Sequence, residues 1–419
     1  MSARGRHRRR KRGRALRAVL TGAALGLTAA ATMISASQAT VGSDPGALKP
    51  LTSASDLGAL QLREILEPQQ SLDRLASAMG RPVGVDTVLK SADHTLRDAA
   101  DCTADEKTAL PVAPAATRAY CWDSGDAADP AWTPRSVTTS GDADEDGWWG
   151  SNRVILSGWT ANTRGLAKVA FVNAADPAHL TYTWALLAVP TDGGRDYRGL
   201  VSKVSGMVWY EDKLLVTTTS GTRDALYVYD MNRIQRATVT AGAVGRVRDG
   251  WSAAGYRYVL PAVGSYRLTG GTSAVRPVGL SLDRSTVPDS LVASGAKRLW
   301  RYPFSLDPAR PGLLATDSAG RAVPEEAYAT KVSGTGGVLA NRSAWYLGGA
   351  AGSESERGSM WRQDTGGAKA TECGADETHR CWSTQSDSLS YWQETGEVWS
   401  VSGRMLFALP LNSIDSSLN

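Results

Sequence analysis

The 419-residue chain contains only three phenylalanines, four histidines and four cysteines. Its poverty in histidine leaves few partners for a His-dependent catalytic triad: after the N-terminal region only His94, His179 and His379 remain. No Gly-x-Ser-x-Gly elbow, His-Glu-x-x-His pair or phosphate-cradling glycine loop is present, which removes the motif-bearing hydrolases, metalloproteases and nucleotide-binding classes. Carboxylate-pair chemistry on glycans needs none of these and stays open, with 42 acidic residues available. Beyond the N-terminal region there is no second long hydrophobic run, so no further membrane anchor is expected.

What is present begins at the N-terminus. Arg4 to Arg17 hold nine Lys or Arg and no acid, an Ala-rich apolar stretch runs from Ala18 to about Ala36, and small residues follow at Ser37-Gln38-Ala39. This order is that of a secretory signal peptide, residues 1–39, rather than a retained transmembrane anchor. Without it the chain carries 37 basic against 42 acidic residues, a net charge of −5. That balance argues against a nucleic-acid partner. An even number of cysteines in an exported chain reads as disulfides; of three pairings, the local ones, Cys102–Cys121 and Cys373–Cys381, are expected. A zinc site using His379 is the sharper alternative, and it lacks a CxxC knuckle.

Residues 40–116 read as a helical and irregular lead-in. Leu57, Leu60, Leu62, Ile65 and Leu66 recur near a 3.6 period from Ser53, with Ser55 or Asp56 as N-cap and a break at Pro68. A second helical piece covers Gln70–Met79 and a third lies around Val85–Ala100. From residue 117 to 419 the pattern is β, with short Val, Thr, Trp, Tyr and Leu runs between Gly, Asp, Ser and Asn turns. Strand groups start near 136, 204, 278, 334 and 388, a repeat with insertions that predicts a β-propeller of five blades, six being the alternative. The third group ends on a weak stretch at Leu313–Val323. The last group has only three strands, and Thr117–Trp122 is expected to supply the fourth near Met405–Leu411, because a ring of sheets hides its edges.

The phrases Trp132-Thr-Pro-Arg-Ser-Val-Thr-Thr139, Gly206-Met-Val-Trp-Tyr210, Leu226-Tyr-Val-Tyr-Asp-Met231, Val278-Gly-Leu-Ser-Leu-Asp-Arg-Ser-Thr286, Ser388-Leu-Ser-Tyr-Trp392 and Arg404-Met-Leu-Phe-Ala-Leu-Pro410 are strand-and-turn units. Taken in order over residues 80–412, they resemble a group of secreted actinobacterial propeller-like proteins. The resemblance implies export and a propeller, and carries no catalytic residue with it.

Three features nominate sites. Asp142, Asp144 and Asp146 alternate before Gly147, a spacing that can wrap oxygen ligands round Ca²⁺; Arg153 stands where an EF-hand needs its bidentate Glu, and a solvated acidic turn is the plainer reading. Trp148 and Trp149 follow directly and are the tryptophans expected at the surface, where indoles stack on sugar rings. Asp283 and Arg284 end a strand of the third group and could orient a ligand, a turn-stabilising ion pair being the alternative. The function expected is an exported, non-catalytic binding or scaffold module for an extracellular glycan or envelope component. The second reading is a carboxylate-dependent glycan hydrolase or lyase, and the sequence leaves enzyme status open.

Overall fold

A computed structural model describes residues 44–418 apart from 164, 219–222, 272–273, 352–355, 374–378 and 386–387. The expected signal peptide lies outside the described residues. Strands dominate, in five antiparallel groups, sheets I to V, whose first four strands follow one another outward; the outer strands of sheets I and II also pair in parallel, Ala185–Ala188 with Tyr258–Pro261, which joins the two into one continuous sheet. Sheet I contains Trp132–Thr139, Val154–Ala161, Ala167–Asn173 and Thr181–Thr191; sheet II contains Met207–Tyr210, Lys213–Thr217, Asp224–Asp230 and Tyr258–Leu268. Sheet III contains Gly279–Asp283, Ser290–Gly295, Arg298–Pro303 and Glu326–Ala329, and sheet IV Thr335–Asn341, Ala344–Gly349, Ser359–Asp364 and Gly367–Ala370. Sheet V contains Leu389–Trp392, Glu397–Ser402 and Met405–Pro410, completed by Arg118–Cys121 from far earlier in the chain.

The first strands of the five sheets touch in cyclic order, I to II, II to III, III to IV, IV to V and V back to I. Side chains lock this inner circle. The Trp209 amide donates to Thr138 Oγ1 at 2.9 Å, the Val137 amide to Ser388 Oγ at 3.1 Å, and Ser390 Oγ to Asp142 at 2.7 Å. The architecture is all-β and of propeller type, each sheet burying both faces against its neighbours. That double burial explains why strands such as Val154–Ala161 are buried at every position instead of alternating.

Closure follows the expectation from the three-stranded last group. Met405 pairs with Cys121 and Ala408 with Arg118. Arg97–Asp98 then adds outside Arg118–Cys121, and the Cys102–Cys121 disulfide staples this edge. The Cys373–Cys381 bridge also forms, so neither loop has thiolates to offer a metal.

The N-terminal region departs from its helical reading. A helix runs from Ala54 to Leu60, capped by Ser53, whose Oγ accepts the Asp56 amide at 3.1 Å. Leu62–Leu66 is a strand, paired antiparallel to the end of Tyr258–Leu268, so a helix-like spacing of leucines was overridden by a sheet edge needing a partner. Helix resumes at Gln69–Met79, and the stretch around Val85 is helical only to Leu89. Lys49–Pro50 adds to sheet III, Leu62–Leu66 to sheet II and His94–Thr95 to sheet I. The lead-in is therefore built into the sheets, and residues from Asp44 onward form one unit. In sheet III the fourth strand is Glu326–Ala329, not Leu313–Val323. No helix among the described residues is long and apolar enough to cross a membrane.

Deleting residues 44–122 removes edge strands from four sheets at once and reopens sheet V. We expect a product without a cooperative thermal transition, read by calorimetry against the intact chain. The Cys102→Ser/Cys121→Ser variant should stay folded and lose about 3 kcal/mol, the chain-entropy value for a loop of this size, in denaturant titration.

Candidate functional site

Two cavities border the closing segment, and between them they hold most of the exposed chemistry of this region. The first, about 280 Å³, is lined by Arg118 and Tyr120 of the closing strand, Trp148 and Arg153, and Trp392, Glu397 and Trp399 of sheet V. Arg153 joins two of its aromatic walls. Its guanidinium lies 4.7 Å from the Trp148 ring and 5.5 Å from the Trp392 ring, and it grips both carboxylate oxygens of Glu394 at 2.9 and 2.8 Å. Arg118 pairs with Glu397 at 2.9 Å. Tyr120 stacks parallel to Trp399, and its hydroxyl donates to the Pro177 carbonyl at 2.9 Å.

The acidic string before Trp148 has a different use from the one its spacing suggests. Asp142 is buried: its Oδ2 accepts from Thr138 Oγ1 at 2.6 Å and Ser390 Oγ at 2.7 Å, and burial pushes its carboxyl above the usual range. Asp144 and Asp146 are exposed and bond to the backbone of their own turn, Asp146 Oδ1 accepting the Trp148 amide at 2.8 Å. The three carboxylates do not converge on a common point, and the calcium loop read from them is corrected to one buried latch and two solvated turn residues. Gly147, at φ +79°, is needed for space as well as for its turn: a Cβ there would lie 2.5 Å from the Trp392 indole nitrogen. Gly141 is as tight, 2.4 Å from the same indole. The loop seats Trp392 and so shapes the first cavity.

The structure separates the tryptophan pair. Trp148 faces the first cavity, whereas Trp149 packs inward, 4.9 Å from the Trp209 ring. Asp283 and Arg284 do not pair with each other and line neither cavity. Asp283 is buried on Arg301 at 2.9 Å and takes the Ser285 amide; Arg284 bonds Asp289 at 2.8 Å and donates to the Asp142 carbonyl at 2.8 Å. Asp283 is a tie within sheet III and Arg284 a tie from sheet III to the Asp142 turn, a correction to the ligand-orienting reading.

The second cavity, about 460 Å³, escaped the sequence reading. Its lining includes Asp93, His94, Asp126, Asp129, Lys168, Trp184, Tyr256 and Arg257. Lys168 stands opposite Trp159 on the neighbouring strand, and Trp184, opposite Ala170, comes up diagonally on the same face. The ammonium lies 3.6 Å from the Trp184 ring, 4.6 Å from Trp132, 5.0 Å from Tyr256 and 5.4 Å from Trp159. Those faces favour the charged amine, as does Asp126, whose Oδ1 is 3.8 Å away. Burial outweighs them and draws the amine down to about 8. Asp126 Oδ2 accepts from the Tyr182 hydroxyl at 2.6 Å and the Trp184 indole at 3.2 Å. His94 Nδ1 meets Asp123 Oδ2 at 2.5 Å. Burial works against the Asp123 carboxylate, but the Asp126 amide and His94 hold it below its ordinary range. His94, Asp123 and Asp126 converge closely enough to share an ion, and His94 Nδ1 is hydrogen-bonded to Asp123 and 3.6 Å from Asp126 Oδ2. The one signal available in sequence was Lys168 itself, a charge inside the otherwise apolar Ala167–Asn173 run.

Two outcomes test this geometry. Wild type and Asp144→Ala should melt identically in calcium and in chelator. For Lys168, the folded amine loses its proton at about 8 and the unfolded one near 10.5. The unfolded chain then binds more protons in that window, so stability rises with pH across it, by on the order of 3 kcal/mol relative to Lys168→Met. Asp126, Asp129 and Asp123 oppose the shift and Arg404 adds to it, so a flat difference curve between pH 8 and 10.5 would show that they cancel the burial.

No protein-family model and no curated protein matches the chain. Among solved structures, it is similar to the β-propeller domain of Cps50 (Swd1) from Myceliophthora thermophila, at 9% identity over 66% of this chain and 83% of that one, with a TM-score of 0.28. The extracellular domain of a putative hybrid two-component system from B. thetaiotaomicron matches at 11% identity over 62% of this chain and 37% of that one, with a TM-score of 0.26. The extracellular domain of a putative one-component system from the same organism gives 11% identity, coverages of 67% and 38%, and a TM-score of 0.27. At these scores the likeness carries no argument, and the architecture rests on the chain's own strand pairing.

Proposed function

We propose that the chain is an exported five-bladed propeller that binds a glycan of the cell envelope or its surroundings in the Trp148 cavity, without cleaving it. The five sheets touching in cyclic order, with Arg118–Cys121 closing the last, support five blades over six. Two disulfides suit an oxidising compartment, and with the basic-apolar-small N-terminus they support export. The resemblance to secreted actinobacterial proteins fits the same picture.

One observation carries the ligand reading: aromatic rings and paired planar charges share one small cleft. Trp148, half-buried, offers an apolar face for a sugar ring, and the buried Tyr120–Trp399 stack backs the same cavity. Glu397, fixed by Arg118, holds acceptor oxygens for hydroxyls, and the guanidiniums of Arg118 and Arg153 hold donors. The volume is near the lower end of the ~300–1,000 Å³ range of ligand sites, suited to one or two sugar units. Glycosidic cleavage requires a carboxyl free to give a proton beside a second carboxylate. Here each acid is committed to a guanidinium, which favours binding over hydrolysis.

The test is a polysaccharide panel from bacterial walls and plants, read by affinity electrophoresis and calorimetry, with reducing-end release followed in parallel. We expect binding without release, and a roughly tenfold affinity loss in Trp148→Ala, about 1.4 kcal/mol, at unchanged melting temperature. Equal affinity in Trp148→Ala would move the site elsewhere, and release of reducing ends would replace a binding module with an enzyme.

A further inference from the structure

The second cavity shares no lining residue with the glycan cleft and is lined by the buried amine of Lys168. The Lys168 side chain is 3% exposed and lines the cavity, yet no acceptor among the described residues lies within hydrogen-bonding distance of its three donors. The carboxylate nearest to it, Asp126, is 3.8 Å away, with its other oxygen already taken by Tyr182 and Trp184. The ring faces and Asp126 hold the amine in place without taking up its donors, and burial lowers its proton affinity, so a small molecule entering the cavity meets a reactive nitrogen. The position asks for a ligand atom.

The cavity's charges define that ligand by exclusion. Asp93, Asp126 and Asp129 line it against Lys168 and Arg257, so a carboxylate or phosphate meets repulsion from several sides. A cation meets Lys168 at the innermost aromatic faces. What fits is an uncharged molecule with an electrophilic or accepting atom for the amine and hydroxyls for the carboxylates.

We propose that Lys168 binds the carbonyl carbon of an uncharged hydroxy-aldehyde or hydroxy-ketone covalently, as an imine. The Nζ lone pair attacks the carbonyl carbon, forming the C–N bond as the C=O π pair moves to oxygen. That oxygen takes a proton and the nitrogen loses one, giving a carbinolamine. Its hydroxyl, protonated once more, leaves as water while the nitrogen lone pair closes the C=N bond. One carbonyl and one amine give one imine and one water, with no oxidant or reductant. A proton carrier stands close by: His94 meets Asp123 through Nδ1 and Asp93 through Nε2, and His94 Nδ1 and Lys168 Nζ both lie within 4 Å of Asp126. Burial, which favours the neutral amine at mildly alkaline pH, supplies the nucleophile. Asp126 and Asp129 then stabilise the protonated imine.

The experiment treats the folded chain with glycolaldehyde and cyanoborohydride at pH 7.5 to 8 and maps the lysines by peptide mass spectrometry. Lys90, whose side chain is 75% exposed, is the internal reference. We expect a hydroxyethyl adduct on Lys168 at least roughly tenfold faster than on Lys90. The His94→Gln chain should label Lys168 several-fold more slowly, with Lys90 unchanged. The mapping is read in wild-type protein, so it does not depend on a Lys168 variant folding. Labelling of Lys168 at or below the rate of Lys90 overturns the proposal, whatever the Trp148 cleft binds.

Discussion

Everything in this molecule hangs on one pairing across the whole chain: Arg118–Cys121 against Met405–Ala408. A ring of sheets is only as stable as its closure, because an open last sheet would leave a row of unpaired backbone groups and let the inner circle spread. The closing strand is held from both sides. Arg97–Asp98 pairs along its outer edge and the Cys102–Cys121 bridge fixes its end. Trp122, immediately after, wedges edge-on between Trp159 and Tyr182 in the core shared by sheets I and V. The contacts bridge nearly three hundred residues of sequence, so closure is paid for in loop entropy and repaid by the aromatic core and the disulfide.

Closure also makes the two cavities. Arg118 and Tyr120 form one wall of the Trp148 cleft, and a few residues on, Asp126 and Asp129 form a wall of the Lys168 cavity. Arg404 ties that second wall down, donating to the carbonyls of Asp126 and Asp129. A segment that must sit accurately for the ring to close is a rigid support for side chains, which is what a binding site requires. Both cavities lie where sequence-distant pieces meet, so their residues come together only once the ring has formed.

That dependence decides what could be read from the sequence. Strand groups and the closing strand were legible, because local alternation and a missing fourth strand are properties of short stretches. Leu62–Leu66 was misread because its leucines fit a helical period, and nothing local announces the sheet edge that captures them. The string Asp142 to Asp146 looked uniform, yet position 142 points into the inner circle while 144 and 146 face water. Spacing alone cannot distinguish a carboxylate that finds Thr138 and Ser390 from one that finds solvent. His94, Asp123 and Lys168 are separated by enough chain that only the fold reveals them as neighbours.

The preference for tryptophan over phenylalanine, fourteen to three, follows from the same geometry. Sheets that radiate from a common centre diverge, so the gaps between them widen outward and need bulky fillers to keep interior density. Trp122, Trp159, Trp209, Trp300, Trp345 and Trp382 are among the largest fully buried side chains. The cost is visible in the indole nitrogens: those of Trp122, Trp159, Trp209, Trp300 and Trp382 are buried with no hydrogen-bond partner. An unsatisfied donor costs about 1–3 kcal/mol, while burying ~200 Å² of indole returns about 5 kcal/mol, so the filler wins at each site. Trp148 breaks the pattern. Its ring is only half-buried, against an arginine rather than a strand, where it closes no gap between sheets. A residue type that this fold mostly spends on packing stands there on the wall of a cavity, the position that the proposed glycan contact uses.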